Sequence, residues 1–447
     1  MPLLPATPLS CNNAARLQNH PTHAVVVGGG YIGVEVAENL IHRGLQVDIV
    51  ERLGQIMATI DHEMARDLQY HLIDQGIDLH LDTAVAGFEA VDGRVQVALS
   101  DGTHLTADLV ILAVGVRPNT ELAVKAGLPV GSRGGLKIDN HMRTVDPDIY
   151  AIGDMVETEH TITRQPILAA LAGPANRQGR IAADNICGKS STYESTQGTA
   201  IVKIFEMVGG GTGASEQMLR QANIPYRKIY LHPAGHATYY PGTAAMHIKV
   251  LFQPDDGKLL GAQVVGFDGV DKRIDLFAIA LRSGLTVFDL ENLELPYAPP
   301  FGSAKDPINM AGFLGANLLR GDHLLWYAED YPEHTQDGLI VDVRTPKEYD
   351  EWHIPGAINM PLNTVRDRYT ELPKDTPLFV YCRVGFRGYL AYRILVQKGF
   401  QVLNLSGGVL TFSSFHPTGY STGQANYPFV AHAEDQMAEQ ILAASAG

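Results

Sequence analysis

Cys382 is the residue whose surroundings in this sequence best suit a nucleophile. It follows the apolar run P-L-F-V-Y, which predicts a buried strand, and it precedes a glycine-bearing loop that leads into a helix near Gly388. The positive end of a helix stabilises an anion, and Arg383 and Arg387 add positive charge beside the sulfur. A thiolate held in this way can attack a sulfane sulfur and carry it as a persulfide.

Segments on both sides of Cys382 in the sequence are expected to position it. G-L-I-V-D-V-R-T-P-K-E-Y-D-E-W-H-I-P-G predicts a strand, a helix and a turn, and Val402 to Leu405 predicts a last strand. Together with C-R-V-G-F-R, these motifs follow the order of the rhodanese family, which this part of the chain resembles. The resemblance implies that Asp342 and Arg344 brace the active-site loop, with Glu348 and His353 in supporting positions. The alternatives are an inactive rhodanese fold or an inert buried cysteine.

A second motif suits a dinucleotide. The segment H-A-V-V-V-G-G-G-Y-I-G predicts a buried strand, Ala24 to Val27, and then glycines in G-x-G-x-x-G spacing before a helix that runs to about His42. Gly28 would form the tight turn, Gly30 would let the backbone approach a pyrophosphate, and Gly33 would let the helix pack closely on the strand. The amides and the positive dipole of the helix start would then face the phosphates. The alternative is a tight turn without a ligand.

An acidic residue ends the next predicted strand. Glu51 lies about 20 residues beyond the glycines and could accept hydrogen bonds from a ribose diol. Its charge would repel a 2′-phosphate, which favours NADH, whereas the adjacent Arg52 keeps NADPH open. A later buried run, Leu109 to Ala113, predicts a strand followed by Gly115, where a cofactor could pass.

A third segment, T-V-D-P-D-I-Y-A-I-G-D (144–154), predicts a strand that ends in Gly153 and Asp154, so that the carboxylate could bind a ribityl or ribose hydroxyl. Together with the glycine motif and A-V-G-V-R-P-N, it resembles the pyridine nucleotide-disulfide oxidoreductases. The segments A-L-A-G-P-A-N-R-Q-G-R, H-A-T-Y-Y-P-G and L-P-Y-A-P-P-F-G-S are similar to those of coenzyme A-disulfide reductases and of their relatives that reduce persulfides and polysulfides.

That resemblance implies two cofactors, FAD and NADH (or NADPH), and assigns residues to them. Tyr31 would be the aromatic gate over the nicotinamide, Glu35 would lie near it, and the helix that opens near Leu171 would point its amides at the flavin ring. Ordinary helix-start roles are the alternative for Tyr31 and Glu35. The cofactor-binding positions expected are Gly28, Gly30, Tyr31, Ile32, Gly33, Glu35, Glu51, Arg52, Gly115, Gly153, Asp154, Leu171 and Ala172.

The segment that follows resembles the dimerisation domain of the same family. Ala200 to Phe205 and Met246 to Phe252 predict strands of an antiparallel sheet. The resemblance implies a homodimer in which Tyr297 is catalytic and reaches across to the thiol substrate; a tyrosine in a rigid proline-rich loop is the alternative. The glycine run 209–213 is interpreted as a flexible bend rather than a phosphate loop.

The other two cysteines have no comparable context. Cys11 lies in a Pro- and Asn-rich tail, and Cys187 is expected to be a small buried or half-buried residue near a helix end. The chain has no C-x-x-C pair, so we expect neither a bound metal nor a disulfide scaffold, which is consistent with a reducing cytoplasm.

Composition excludes several classes of protein. The net charge of -15 argues against a nucleic-acid partner, and no apolar run reaches the roughly 20 residues that a membrane span needs. The N-terminus has no basic region followed by a long apolar core, so no signal peptide is predicted. Hydrophobic residues make up 45% of the chain and charged residues 19%, as in an ordinary globular protein.

The predicted fold class is α/β, with several domains along the chain. Their expected boundaries are an N-terminal tail (1–22), a Rossmann-type NAD(P)H-binding domain (23–143), a remnant of an FAD-binding domain (144–190), an α+β dimerisation domain (196–321), an α/β rhodanese domain (328–420) and a C-terminal tail (421–447) in which 431–444 could form a helix.

The predicted function is a flavin- and NAD(P)H-dependent disulfide or persulfide reductase, coupled to sulfur transfer through a persulfide on Cys382. Coenzyme A persulfide or disulfide, polysulfide and thiosulfate are the expected substrates. Members of the reductase family carry a flavin-binding G-x-G-x-x-G and a redox cysteine before the NADH domain. In this sequence, residues 1–22 precede that domain and contain no glycine. Four alternatives therefore stay open: a truncated or split enzyme active only as a sulfurtransferase, a non-catalytic dimer and nucleotide-binding module, a degraded fragment, or a mis-assigned start.

Overall fold

The computed structural model describes residues 21–416, which form two compact units. The first unit consists of the segments up to residue 60, 75–205 and 211–225, and the second consists of 61–74, 206–210 and the chain from 226 onwards. Cys11 and the predicted C-terminal helix, 431–444, lie outside the described residues.

The described chain contains both strands and α-helices along its whole length. The strands are β1 His23–Val27, β2 Gln46–Val50, β3 Ile77–His80, β4 Val85–Val91, β5 Arg94–Leu99, β6 His104–Ala107, β7 Leu109–Leu112, β8 Leu136–Lys137, β9 Val156–Glu159, β10 Pro166–Leu168, β11 Ala200–Ile204, β12 Met207–Gly213, β13 Arg227–Leu231, β14 Met246–Phe252, β15 Leu259–Gly266, β16 Leu325–Trp326, β17 Leu339–Asp342, β18 Ile358–Asn359, β19 Leu378–Tyr381 and β20 Val402–Leu405. The α-helices are α1 Tyr31–His42, α2 His62–Asp74, α3 Glu121–Lys125, α4 Ala172–Ile186, α5 Glu216–Gln221, α6 Val270–Arg282, α7 Val287–Glu291, α8 Pro307–Arg320, α9 Pro346–Glu351, α10 Val365–Arg368, α11 Phe386–Gln397 and α12 Gly408–Phe415. Among these described helices, none is long and apolar enough to cross a membrane.

A parallel sheet in the order β3-β2-β1-β7 is the centre of the first unit. Strand β1 lies between β2 and β7, and its four residues after His23 are buried, which explains the continuous apolar run. Helix α1 buries Gly33, Val34, Ala37 and Leu40, the spacing of one helix face, and packs on β2. A second, antiparallel sheet in the order β4-β5-β6 completes this region. The predicted strand, turn and helix around the glycine motif are therefore confirmed.

The segment 144–154 is not the strand that the sequence predicted. Tyr150 makes only an isolated bridge to Arg143, and Gly153–Met155 forms one 3₁₀ turn before β9 begins. The side chains of Thr144 and Asp146 accept hydrogen bonds from the amides two residues later, at 3.2 and 3.0 Å. Such local bonds compete with strand pairing, so the chain turns here instead of extending.

In the second unit, β13, β14 and β15 form an antiparallel array in which β14 pairs with both neighbours. All residues of β14 and β15 are buried, and helices α6 and α8 supply much of the adjoining core. The glycine run 209–213 belongs to β12, so the predicted flexible bend is wrong. A Cβ on Gly209 would lie 2.8 Å from Leu68 Cδ1, which means that close packing, rather than flexibility, explains this glycine.

A second parallel sheet, in the order β16-β20-β19-β17-β18, occupies the C-terminal part of the second unit. Asp342 at the end of β17 is in register with Tyr381 at the end of β19, and Val380 is in register with Asn404 on β20. The carboxyl ends of parallel strands meet at one edge of a sheet, so this register brings the residues that follow β17 and β19 together. Helix α11 begins at Phe386, slightly earlier than predicted.

Cys187 differs from its expected environment. It caps the C-terminus of α4 and is exposed, so the prediction of a buried or half-buried residue is wrong. Cys187 follows the last helical residue, Ile186, and the buried face of α4 ends before it, at Asn185. Position at a helix end thus decides its exposure, rather than the usual preference of cysteine for the interior.

Candidate functional site

Cys382 directly follows β19, at the start of a short loop, and is buried. The Gly385 amide donates a hydrogen bond to Cys382 Sγ at 3.2 Å. Gly385 itself adopts the left-handed conformation (φ 94°) and caps the N-terminus of α11 without a side-chain hydrogen bond. The sulfur is therefore close to the positive end of a helix, where an anionic sulfur is stabilised.

The loop is held from the other side by the start of α12. The amide of Val409 donates to the Cys382 carbonyl at 2.9 Å, and that of Leu410 donates to the Arg383 carbonyl at 3.1 Å. Gly408 has φ 63°, and a Cβ there would lie 2.4 Å from the Cys382 carbonyl oxygen. Gly408 is thus required by the close approach of two backbones.

Arg387 connects the cysteine to a buried carboxylate. Its Nη1 and Nη2 donate to the two oxygens of Glu348 at 2.8 and 2.6 Å. Glu348 also accepts from the amide and hydroxyl of Thr345, which completes a capping box at the start of α9. Although burial raises the pKa of Glu348, the hydrogen bonds and charge of Arg387 outweigh it, and the net pKa falls to about 2.

The guanidinium of Arg387 experiences the same competition. Burial lowers its pKa, but hydrogen bonds to Glu348 and the charge of the Cys382 sulfur raise it, and the net shift is upward. Arg387 is therefore a permanent positive charge within electrostatic range of the sulfur. Thr345 was not predicted to contribute, although its place three residues before a glutamate is the sequence signature of a capping box.

Asp342 and Arg344 form a fully buried ion pair, with both side chains at 0% exposure. Arg344 Nη2 donates to Asp342 at 2.7 Å and to the Trp352 carbonyl at 2.5 Å, so the pair fixes the segment that carries Glu348. The ring of His353 instead stacks on Tyr349, with centroids 3.9 Å apart. Its described contacts support the helix end rather than the sulfur.

Arg383 is half-buried, and its charge acts on one member of a pair of stacked histidines. The rings of His232 and His247 stack with centroids 4.3 Å apart. Burial, and then the charges of His247 and Arg383, lower the pKa of His232 well below its ordinary value. Arg387 interacts electrostatically with the Cys382 sulfur, and the charge of Arg383 reaches His232 of this pair of histidines.

The three glycines of the turn after β1 differ in the space around them. A Cβ on Gly33 would lie 1.9 Å from the Gly28 carbonyl oxygen, and one on Gly28 would lie 2.4 Å from the Ala113 carbonyl oxygen. By contrast, a Cβ on Gly30 would meet open space, and Gly30 caps α1 without a side-chain hydrogen bond. Two glycines are thus needed for packing, and the third leaves room for an anion at the start of the helix.

Glu51 shapes this turn. Its two oxygens accept hydrogen bonds from the amides of Gly29 and Leu53 at 2.8 and 2.9 Å. A carboxylate has about four acceptor sites, so it can bind a ribose diol as well. The Tyr31 hydroxyl bonds to Thr59 at 3.2 Å, and burial raises the tyrosine pKa more than this bond lowers it. The remaining predicted residues of this region are exposed: Ile32, Glu35 and Arg52.

The predicted flavin-binding residues meet at the start of α4. The Gly153 amide donates to Gln178 at 2.7 Å, which ties the 3₁₀ turn to that helix. Asp154 is exposed beside this turn. Leu171 caps α4 without a side-chain hydrogen bond, so the open start of this helix and the exposed Asp154 carboxylate lie in the same region. Gly115 is also exposed and has φ 100°. These residues fit hydroxyl and ring groups of a flavin nucleotide.

The second unit adds a pair of tyrosines. The hydroxyls of Tyr297 and Tyr239 are 2.7 Å apart, and both side chains are exposed. Their hydrogen bond raises the pKa of Tyr239. Tyr239 was not singled out from the sequence, although it lies in the segment H-A-T-Y-Y-P-G that marked the family resemblance.

Three segments of the chain match known protein families. Residues 7–176 match the model of the pyridine nucleotide-disulphide oxidoreductases, residues 199–306 match the dimerisation domain of that family, and residues 327–414 match a rhodanese-like domain. The structure of reduced Bacillus anthracis CoADR-RHD is similar with a TM-score of 0.86 and 42% identity, covering 89% of this chain and 71% of that chain. The structure of an NAD-dependent persulfide reductase from A. fulgidus gives a TM-score of 0.82 and 34% identity, covering 88% and 72%.

A curated relative, the NAD(P)H sulfur oxidoreductase (CoA-dependent) of Pyrococcus abyssi, is 33% identical over 291 residues. The alignment covers 65% of this chain and 65% of that protein. The chain thus spans slightly less than two thirds of the length of the curated relatives that it matches. The predicted α/β fold class, with its Rossmann-type, dimerisation and rhodanese parts, is confirmed.

Proposed function

Because this chain belongs to the pyridine nucleotide-disulphide oxidoreductase family and carries a rhodanese-like domain, we propose that it reduces disulfides or persulfides with NAD(P)H and FAD and transfers sulfur through Cys382. The observation that carries the proposal is the environment of Cys382 Sγ. It accepts the Gly385 amide at 3.2 Å, at the start of a helix and within electrostatic range of Arg387. This arrangement supports a thiolate and, equally, a terminal persulfide anion.

The sulfur-transfer step follows from that environment. The Cys382 thiolate attacks the outer sulfur of a donor such as thiosulfate, forming a new S–S bond while the donor's S–S bond breaks. Sulfite leaves with the electron pair, and the cysteine becomes a persulfide of unchanged charge. The Gly385 amide and Arg387 then stabilise the terminal sulfur until an acceptor thiolate removes it.

The cofactors would act elsewhere on the chain. When bound, NAD(P)H would supply a hydride and FAD would carry its two electrons towards the disulfide or persulfide. Gly28, Gly30 and Gly33 would hold the pyrophosphate of the nicotinamide nucleotide, and Glu51 would hold its ribose. Asp154 and the exposed start of α4 would bind the flavin. Their open helix starts and exposed carboxylate support these roles.

The proposal extends to assembly and substrates. The dimerisation part, 196–321, would form a homodimer, and the Tyr239–Tyr297 pair would offer a hydroxyl proton to the thiolate of a coenzyme A-type substrate. The NAD(P)H domain would comprise 23–143, the flavin-binding remnant 144–190 and the rhodanese domain 328–420, between tails at 1–22 and 421–447. The three cysteines of the sequence fit a reducing compartment, and we place the protein in the cytoplasm.

Replacement of the candidate nucleophile tests the sulfur-transfer part. We expect Cys382→Ser to lower the transfer of sulfur from thiosulfate to cyanide by about a hundredfold or more, because a serine hydroxyl cannot form the persulfide. Cys187→Ser is the matched control, since this exposed thiol lies outside the site, and it should keep wild-type activity. A Cys382→Ser protein that transfers sulfur at the wild-type rate would overturn the assignment.

A further inference from the structure

We propose that Asn404 is a positioning residue for Cys382, because its side-chain amide holds Gly385 in the conformation that directs the Gly385 N–H at the sulfur. The inference rests on the proposed sulfur-transfer function of Cys382 and adds a residue to it. Asn404 does not contact the sulfur in any described hydrogen bond. Asn404 lies on strand β20 and contacts the loop from there.

Two hydrogen bonds on either side of one glycine carry the argument. Asn404 is 1% exposed, and its Nδ2 donates to the Gly385 carbonyl at 3.0 Å. The Gly385 amide donates to Cys382 Sγ at 3.2 Å. Glycine populates many backbone conformations, so a fixed carbonyl restricts the rotation that would turn its amide away from the sulfur. Holding the carbonyl therefore keeps the amide in place before any substrate binds.

The first turn of α11 packs directly on the other atom of the same amide. A Cβ on Gly388 would lie 2.1 Å from Asn404 Oδ1, so position 388 accepts only glycine while Asn404 stays where it is. In the described structure, Asn404 Oδ1 is buried and has no hydrogen-bond partner. An unpaired buried oxygen is unfavourable, which indicates that the Asn404 orientation is imposed by its two donor contacts.

The second donor contact reaches a residue outside the rhodanese-like match, which begins at residue 327. His323 Nε2 lies 3.0 Å from Asn404 Nδ2 and is 1% exposed. Because Asn404 Nδ2 can only donate, His323 Nε2 must accept, and the ring proton is on Nδ1, a buried atom without a hydrogen-bond partner in the described structure. Burial, and then the charge of Arg393, lower the pKa of His323 to about 4, so the ring is neutral at pH 7 and can accept.

His323 is itself fixed by its neighbours. Its ring meets those of Tyr389 and Tyr392 edge-on, with centroids 4.7 and 5.1 Å away, and its amide donates to the Asn317 carbonyl near the end of α8. The connection that leaves the dimerisation part of the chain thus supports the catalytic loop through Asn404. The order of contacts is Asn317, His323, Asn404, Gly385 and Cys382.

The reactivity of the Cys382 thiol, in addition to enzyme activity, tests this inference. In the full chain with Cys11→Ser and Cys187→Ser, Cys382 is the only thiol, and its rate of alkylation by iodoacetamide is recorded against pH and divided by the plateau rate at high pH. We expect Asn404→Leu, which removes the donor at similar volume, to move the midpoint to higher pH. The normalised rate at pH 7 would then fall about tenfold, as would kcat/KM for thiosulfate.

Matched variants separate positioning from a general loss of stability. Asn309 is a buried asparagine on α8 whose Nδ2 donates to the carbonyls of Leu290 and Leu293 at 3.0 and 2.9 Å. Asn309→Leu should lower thermal stability and leave the alkylation midpoint unchanged. His323→Gln keeps an acceptor oxygen and should stay nearer to the wild-type midpoint than His323→Leu.

An Asn404→Leu protein that folds and keeps the wild-type midpoint would overturn the inference. If Asn404→Leu does not fold, His323→Leu and Gly388→Ala take its place, since each displaces the amide while Asn404 is retained; an unchanged midpoint in both would also overturn it. Wild-type protein without sulfur transfer, but with a midpoint that moves in Asn404→Leu, would contradict the proposed function and leave the positioning role standing.

Discussion

At the scale of single residues, the positive charge of Arg387 beside Cys382 depends on Glu348, a residue with no described hydrogen bond to the sulfur. Arg387 forms an ion pair with the Glu348 carboxylate and also interacts electrostatically with the Cys382 sulfur. The Glu348 side chain is only 10% exposed, so Arg387 neutralises a carboxylate that would otherwise be buried and unpaired. Glu348 thereby holds the Arg387 guanidinium in one place through two hydrogen bonds.

This ion pair predicts a specific dependence of stability on acid. The pKa of Glu348 is about 2 in the folded protein and near 4.5 in the unfolded chain, so the unfolded state takes up the proton first as the pH falls. The contribution of Glu348 is therefore fully present above about pH 4.5 and is lost between pH 4.5 and pH 2. Glu348→Gln should lower the free energy of unfolding by about 2 kcal/mol at pH 7 and should flatten its fall in acid.

Urea unfolding at pH 7, 4 and 3 measures both effects. Glu371→Gln is the control, since Glu371 makes an exposed ion pair with Arg368 on the same domain. It should leave the stability at pH 7 nearly unchanged. Parallel acid profiles for the wild-type and Glu348→Gln proteins would show that the buried pair does not contribute to the acid dependence.

At the scale of elements, the turn between β1 and α1 uses its glycines for two different purposes. Gly28 and Gly33 permit backbone contact between the strand, the helix and Ala113. Gly30 leaves space in front of the helix start, while its φ of -78° is open to any residue. Packing and ligand binding are therefore separable by substitution at neighbouring positions of one motif.

Two single substitutions should separate them. Gly33→Ala places a methyl group 1.9 Å from the Gly28 carbonyl oxygen, so we expect it to lower stability by about 2 kcal/mol or more, together with NADH affinity. Gly30→Ala meets no protein atom within 4 Å, so it should keep wild-type thermal stability and bind NADH at least about tenfold more weakly. Thermal unfolding and NADH fluorescence titration measure the two quantities. Wild-type NADH affinity in Gly30→Ala would exclude this turn as the pyrophosphate site.

At the scale of the whole molecule, two kinds of chemistry are proposed for one chain. The glycine turn proposed to bind the nucleotide belongs to the first compact unit, and Cys382 with its supporting network belongs to the second. His323 precedes the rhodanese-like match, yet it contacts Asn404 within that match. The support that we propose for the Cys382 loop therefore includes a residue outside the rhodanese-like segment. A sulfurtransferase built only from the matched residues would lack this support.

The reductase part of the proposal predicts a colour change. The full chain, purified and supplied with FAD, should show a flavin absorbance band that bleaches when NADH is added under anaerobic conditions. Gly30→Ala should show the same band and bleach more slowly, because only its nicotinamide nucleotide site is altered. Protein that binds no FAD, or a band that NADH does not bleach, would restrict the activity of this chain to sulfur transfer.

The sequence by itself determined the features that depend on neighbouring residues. The G-x-G-x-x-G turn, the strand before Cys382 and the helix after it were predicted because their signals lie within a few positions of one another. Local patterns also misled in places. The segment 144–154 was expected to be a strand but turns on Thr144 and Asp146, and the run 209–213, expected to be a flexible bend, belongs to a strand in which Gly209 packs on Leu68.

The tertiary structure decided which distant residues meet. Asn404 and His323 are 81 positions apart, Tyr239 and Tyr297 are 58 apart, and only packing places them within hydrogen-bond distance. Strand order and register determine such pairs, and neither is written in the spacing of the residues concerned. The chemistry of Cys382 could therefore be inferred from its own short segment, whereas the residues that hold it in place became visible only in the folded chain.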